Sequence, residues 1–178
     1  MARYVTTDIH GCLHTFRHLI EKVLDLQPAD ELYLLGDYVN KGPDSRGVLD
    51  YLMDLPRRGY QVQCLRGNHD QELLDAARGR THLSWASQAD RSMTLKSFDI
   101  TDCTAIPEPY LAWLETLPYE LDIPGFTLVH AGYDFRLPPR RCAPTGTRCS
   151  TSSSSPSMLP DCRAAGCCTG MCPPRRLR

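Results

Sequence analysis

Apolar and polar positions repeat with two different periods along residues 1–135, and the switches between them mark the elements. Residues 3–7 (Arg-Tyr-Val-Thr-Thr) are short, β-prone and followed by a polar loop, which predicts a strand. Leu13, Phe16, Leu19, Ile20, Val23 and Leu24 then fall at helical spacing over 13–26. Glu31-Leu32-Tyr33-Leu34-Leu35 reads as a second strand stopped by Gly36, and Gln61-Val62-Gln63-Cys64-Leu65 as a third. Between them, 44–55 carries Val48, Leu49, Leu52 and Leu55 on one face, behind a Pro43 suited to a helix start. Helix-like stretches follow at 69–78 and 109–117, and Phe126-Thr127-Leu128-Val129 predicts a last buried strand. Residues 79–106 are polar and irregular and read as an insertion over one sheet edge. Strands alternating with helices predict an α/β fold of βαβ units with a covered sheet.

Each predicted strand runs into a polar cluster. These are Asp8-Ile9-His10-Gly11, Gly36-Asp37-Tyr38-Val39-Asn40-Lys41-Gly42, Gly67-Asn68-His69-Asp70 and His130-Ala131-Gly132. In open α/β sheets, the loops after the carboxyl ends of the strands converge on one crevice. That placement would gather Asp8, His10, Asp37, Asn68, His69 and His130. Carboxylate, imidazole and amide oxygen are hard or borderline metal ligands. The glycines allow sharp turns and close approach to an anion. Two divalent ions held side by side form a clamp for phosphate ester hydrolysis, with an aspartate between them, for which Asp37 is the candidate.

The four clusters, in this order, resemble the calcineurin-like metallophosphoesterases, and among them the phosphoprotein phosphatase branch that includes bacterial Ser/Thr phosphatases. The resemblance covers residues 3–135. It implies a four-layer α/β/β/α sandwich, here C-terminally incomplete. It implies two divalent metal ions (Mn, Fe or Zn), the first held by Asp8 and His10, the second by Asn68 and His130, with Asp37 bridging. Hydroxide generated by the ions would attack phosphorus, and His69 would protonate the leaving group as general acid. Lys41 and Arg66 sit where the resemblance places phosphate-binding cations. The implied substrate is a phosphoprotein or small phosphoester. The nearest alternative is the symmetrical diadenosine tetraphosphate hydrolases, which share the Gly-Asn-His-Asp cluster and a following Leu-Leu, here Leu73-Leu74. Three positions depart from the pattern. Thr7 replaces a glycine. Asn40 replaces an aspartate that partners the general acid, so the charged form of His69 should be stabilised less. Lys41 replaces an arginine, keeping the charge but losing the planar two-pronged grip.

Composition changes the picture at the far end. The chain has 178 residues, enough for one domain with a real core. Its average composition, 42% hydrophobic and 23% charged, is ordinary. No apolar run approaches the ~18 residues of a membrane span, and the first residues lack a signal-peptide pattern. The expectation is a cytoplasmic protein with no membrane or nucleic-acid partner. Residues 1–135, however, carry 12 Lys+Arg against 20 Asp+Glu, whereas residues 136–178 carry 8 arginines and one acid, Asp161. Six of the nine cysteines and half of the prolines lie in that tail, and no aromatic residue follows Phe135. The expected organisation is a metallophosphoesterase domain at 1–135 and a disordered tail at 136–178. The resemblance also calls for one more histidine, in a Gly-His-x-x-Pro-type segment, and none occurs after His130.

The tail has the Arg/Pro/Ser/Cys bias of GC-rich coding sequence read out of frame. Regrouping the permitted codons by the last base of one and the first two of the next allows Ala-Asp-Arg-His-Ala-Met-Leu-Tyr-Ile across Ala143–Ser152. Across Cys167–Arg175 it allows Leu-His-Gly-His-Val-Pro-Thr-Pro, which contains the missing motif. The expectation is a frameshift near residues 136–143, and with it either a weakened second metal site or an inactive product.

Blander readings exist for each residue. Asp8 and His10 alone would be a surface pair, and Asn68 a helix N-cap. His130 alone would be a satisfied core histidine, Lys41 a solvated loop residue and Arg66 a structural ion pair. Their joint occurrence after strands favours the site. His14, His18 and His82 read as ordinary helix or surface residues, and Cys12, Cys64 and Cys103 as small hydrophobes or bystanders. The tail cysteines lack a second pair at zinc-site spacing.

Overall fold

The buried face of the second strand explains the architecture. In the computed structural model, which describes residues 1–80, 87–132 and 171–172, strand β2 (Glu31–Leu34) lies between β1 (Arg3–Thr6) and β3 (Gln61–Cys64), with both pairings parallel. A central parallel strand is covered on both faces and therefore reads as an unbroken apolar run. Its side chains divide with period two. Leu32 and Leu34 join one core cluster with Phe16, Ile20, Val48, Leu49, Leu52, Leu73, Leu74, Leu111 and Leu114. Tyr33 and Leu35 face the other way, into a cluster with Leu65 and Leu128, bordered by Leu121 and Ile123.

The first cluster is the helical layer. It is supplied by α1 (Leu13–His18, continued by a π-helical turn over Leu19–Val23), α2 (Ser45–Asp54), α3 (Asn68–Ala77) and α5 (Glu108–Thr116). Asp44 caps α2, its carboxylate accepting the Gly47 N–H at 2.8 Å, so Pro43 stands just outside the helix. The second cluster is the seam between two sheets. The second sheet is antiparallel and orders β4 (Glu120–Ile123), β5 (Phe126–Val129) and β6 (Met171–Cys172). Among the described residues, helices, parallel sheet and antiparallel sheet make three of the four expected layers. The α/β/β/α class therefore stands.

Two parts of the expected map change. Strand β4 was not anticipated: Leu121 and Ile123 are its inward positions, and the five residues between Pro118 and Pro124 are short for a period-two signal. The polar stretch 79–106 is not irregular throughout. Helix α4 (Gln88–Ser97) forms within it, with Ser87 accepting the Asp90 N–H as N-cap, and a short 3-10 turn follows at Cys103–Ala105. Helix α4 packs against α2 through tertiary contact rather than through a broad apolar stripe. Residues 81–86, with His82, and the tail apart from Met171–Cys172 lie outside the described residues, as does the expectation that the tail is disordered.

Candidate active site

The four polar clusters follow β1, β2, β3 and β5 directly, and the parallel sheet brings the first three to one rim. The backbone there is bent into unusual conformations. Asp8, His10, Asp37, Asn40 and Lys41 all have left-handed φ, between 46° and 71°. Such conformations cost roughly 1 kcal/mol or more for a residue with a Cβ and cluster at functional sites. Gly36, at φ 114°, has its backbone so close to Gly67 that a Cβ would strike the Gly67 nitrogen. The second and third loops can thus interleave only with glycine at that contact.

Asp37 is the centre. Its carboxylate is buried, and its two oxygens face different partners. Oδ2 lies 3.6 Å from His10 Nε2, while Oδ1 lies 3.4 Å from His130 Nε2 and accepts the His69 backbone N–H at 3.0 Å. Asp8 Oδ2 is 3.9 Å from His10 Nε2, and Asn68 Oδ1 is 3.0 Å from His130 Nε2. Both histidines are oriented from behind. His10 Nδ1 donates to the Val39 carbonyl at 2.9 Å and His130 Nδ1 to the Leu35 carbonyl at 3.0 Å. That leaves each Nε2 facing the carboxylate, the arrangement in which histidine presents its lone pair to a metal. Ligand atoms of Asp8, Asp37 and His130 lie within 4.8 Å of one another, and so do those of His10, Asp37 and His69. Acceptors converging in a buried space need a cation or a proton between them. The donor set therefore fits divalent metal. The compact groups join Asp8 to His130 and His10 to His69, with Asp37 common to both.

The electrostatics follow from this convergence. Burial raises the carboxyl of Asp37, but the hydrogen bond and charge of His130 prevail and hold it below the usual range. Burial disfavours the His130 imidazolium, yet Asp37, Asp8 and Asp70 outweigh it, so its value rises. His69 moves down, first through burial; Asp37 opposes this while His10 and Lys41 reinforce it. Its Nδ1 meets Asn40 Nδ2 at 2.9 Å, and its ring stands edge-on to His10 at a centroid distance of 4.9 Å. Lys41 Nζ donates to His10 Nε2 at 2.8 Å, so its charge sits at the cluster.

Arg66 is placed differently. Its guanidinium donates to Gln71 Oε1 at 2.8 Å, to the Tyr119 hydroxyl at 3.0 Å and to the Glu115 carbonyl, and stacks 4.9 Å over the Tyr119 ring. Among the described residues it makes no bond to the ligand cluster. These contacts tie the end of β3 to the α5–β4 connection.

Asp70 and Thr94 are supporting residues that pattern reading left unassigned. Asp70 is wholly buried, and its carboxylate accepts the N–H groups of Gly67 and Asp37 through Oδ2 and of Tyr38 through Oδ1, each at 2.9 Å. It clamps two site loops together. Burial and the nearby Asp37 charge push it up to about 6 despite those bonds. An acid at the third position of a helix was the available signal for Asp70. Thr94 carried none, because its contacts are 54 residues away in sequence.

Comparison with known proteins sharpens this picture. The symmetrical bis(5'-nucleosyl)-tetraphosphatase of Nitrosococcus oceani is 35% identical over 84% of this chain and 49% of its own length. That of Nitrosospira multiformis is 38% identical over 74% of this chain and 44% of its own length. This chain thus spans about half the length of these relatives. A crystal structure provisionally assigned to a diadenosine tetraphosphatase superposes with TM-score 0.57 at 28% identity, covering 79% of this chain and 58% of that one. A cold-active protein-tyrosine phosphatase from Shewanella, TM-score 0.54 at 17% identity over 74% of this chain and 44% of its own, shares the fold. The relatives' names correct one expectation: they are dinucleoside polyphosphate hydrolases, not phosphoprotein phosphatases, so the phosphoprotein substrate is withdrawn. The polar tips of four strands were a family signature rather than a branch signature. A model of the calcineurin-like phosphoesterases matches residues 1–144, and with the clustered ligands around Asp37 this chain belongs to that family.

Proposed function

We propose that this chain is a metal-dependent hydrolase of a dinucleoside polyphosphate, cleaved symmetrically at a phosphoanhydride bond. The observation that supports it is the set of relatives at 35–38% identity that bear this activity in their names. Asp8 and His10 would hold one divalent ion and Asn68 and His130 the other, with Asp37 between them. Mn, Fe or Zn would suit these donors. Ions bound there would neutralise phosphoryl oxygens and acidify a water. Lys41 adds positive charge for the substrate phosphates. His69, held by Asn40, donates a hydrogen bond to the oxygen of the departing nucleoside diphosphate. We assign Arg66 to holding the β3–α3 junction rather than to phosphate.

The tail at 136–178 is proposed to be out of frame, which leaves the second ion with Asp37, Asn68 and His130 and hence a weaker hold. The full chain, reconstituted with Mn²⁺, should convert diadenosine tetraphosphate to ADP as sole product. Hydrolysis of p-nitrophenyl phosphate with no attack on the dinucleotide would overturn the substrate assignment. No turnover of either would show an inactive product.

A further inference from the structure

A closed ring of buried polar groups stands behind His69. The Asn40 backbone N–H points to Thr94 Oγ1 at 3.0 Å and to Ser45 Oγ at 3.2 Å. Thr94 Oγ1 lies 2.9 Å from Asn40 Oδ1 and 3.1 Å from Ser45 Oγ. Asn40, Ser45 and Thr94 are each 0% exposed, so water does not complete their bonding. Each hydroxyl has one proton to give. With Asn40 Oδ1 toward Thr94, the Thr94 proton goes to that oxygen, the Ser45 proton goes to Thr94, and both hydroxyl protons have acceptors. With the amide reversed, Nδ2 donates to Thr94, Thr94 must donate to Ser45, and the Ser45 proton has no acceptor among the described residues. An orphaned buried donor is the more costly state.

We infer that Thr94 and Ser45 are positioning residues that lock the Asn40 amide with Nδ2 toward His69, so that the ring is held as its Nε2–H tautomer. Asn40 Nδ2 donates to His69 Nδ1 at 2.9 Å, so that ring nitrogen is the acceptor and the single proton of the neutral ring resides on Nε2. An aspartate at position 40 would instead accept from Nδ1–H. The lock comes from the helix across the α2–α4 contact, outside the loops that carry the ligands.

The catalytic consequence rests on the proposed anhydride hydrolysis. An alkoxide leaving from a phosphate monoester needs a proton delivered outright. A nucleoside diphosphate leaving from an anhydride is a far weaker base, and a neutral N–H donor is enough to stabilise the charge that forms on its oxygen as the P–O bond breaks. The tautomer thus matches the anhydride.

The test is a ¹⁵N–¹H correlation on the imidazole of His69 in the metal-free full chain at about pH 8, where the ring is neutral. The His69 signals are assigned by their loss in His69→Asn. The wild type should carry its proton on Nε2, and Thr94→Ser should keep it there. Thr94→Val should release the amide and move the proton at least partly to Nδ1, and Asn40→Asp should move it fully. A wild-type proton on Nδ1, or a Thr94→Val ring indistinguishable from wild type, would overturn the lock. The wild-type spectrum decides even where a variant fails to fold. In turnover of diadenosine tetraphosphate, Thr94→Val should lose about 10-fold in kcat with KM unchanged, with Thr94→Ser restoring it. Absence of turnover in every form would defeat the functional reading while leaving the spectrum to decide the tautomer.

Discussion

At Asp37 one carboxylate serves two neighbours, because its oxygens face His10 and His130 separately. Asp37→Asn removes the negative charge and replaces one of the two acceptor oxygens with a donor NH2, and kcat/KM should fall by about 10³-fold, the loss of several kcal/mol of transition-state charge stabilisation. Steady-state kinetics with the Mn²⁺ form measures this, and retention of a tenth of the activity would contradict it. His130 sets the pH dependence of metal binding. Its folded value is raised above 6.5, so in the metal-free chain its protonation stabilises the fold fully below 6.5, and that contribution is lost as pH rises through the folded value. An incoming ion must displace the same proton. Metal affinity should therefore increase with pH through the window above 6.5, with protons released. Calorimetric titration in buffers of different ionisation enthalpy counts them, and His130→Gln should reduce the number released.

Among elements, the β3–α3 junction carries the clearest division between support and chemistry. Arg66→Ala removes bonds to Gln71, Tyr119 and Glu115, and stability should drop by about 1–3 kcal/mol in urea unfolding while KM for substrate stays within about twofold. A tenfold rise in KM at unchanged stability would return Arg66 to the phosphate. In the helical layer, Leu74→Ala should cost about 2–5 kcal/mol, since Leu74 is 0% exposed within the main cluster. The strands and helices lining that cluster were readable because their apolar period matches a buried face. Helix α4 was not, because beside Leu95 and the capping Phe98 its anchor is Thr94 hydrogen-bonded to a loop 54 residues earlier, and a polar anchor leaves no mark on hydrophobic periodicity. Strand β4 was missed for its brevity: four of the five residues between two prolines form a strand through pairing with β5.

For the molecule as a whole, the question is what lies in frame after His130. Sequencing the gene across residues 130–145 should show an inserted or deleted base that restores a Gly-His-x-x-Pro segment downstream. An uninterrupted frame lacking that segment would make the tail native. The described residues contain no helix long and apolar enough to cross a membrane. By itself, the sequence determined that carboxylates, imidazoles and an amide would follow strand ends, and hence where the site lies. Strand direction and buried periodicity are local properties that survive in a linear pattern. Only the tertiary structure decided that Asp37 stands between His10 and His130, that Arg66 turns to Tyr119, and that Asp70 and Thr94 hold the loops. Each of those depends on hydrogen bonds between polar groups distant in the chain, whose partners no period records.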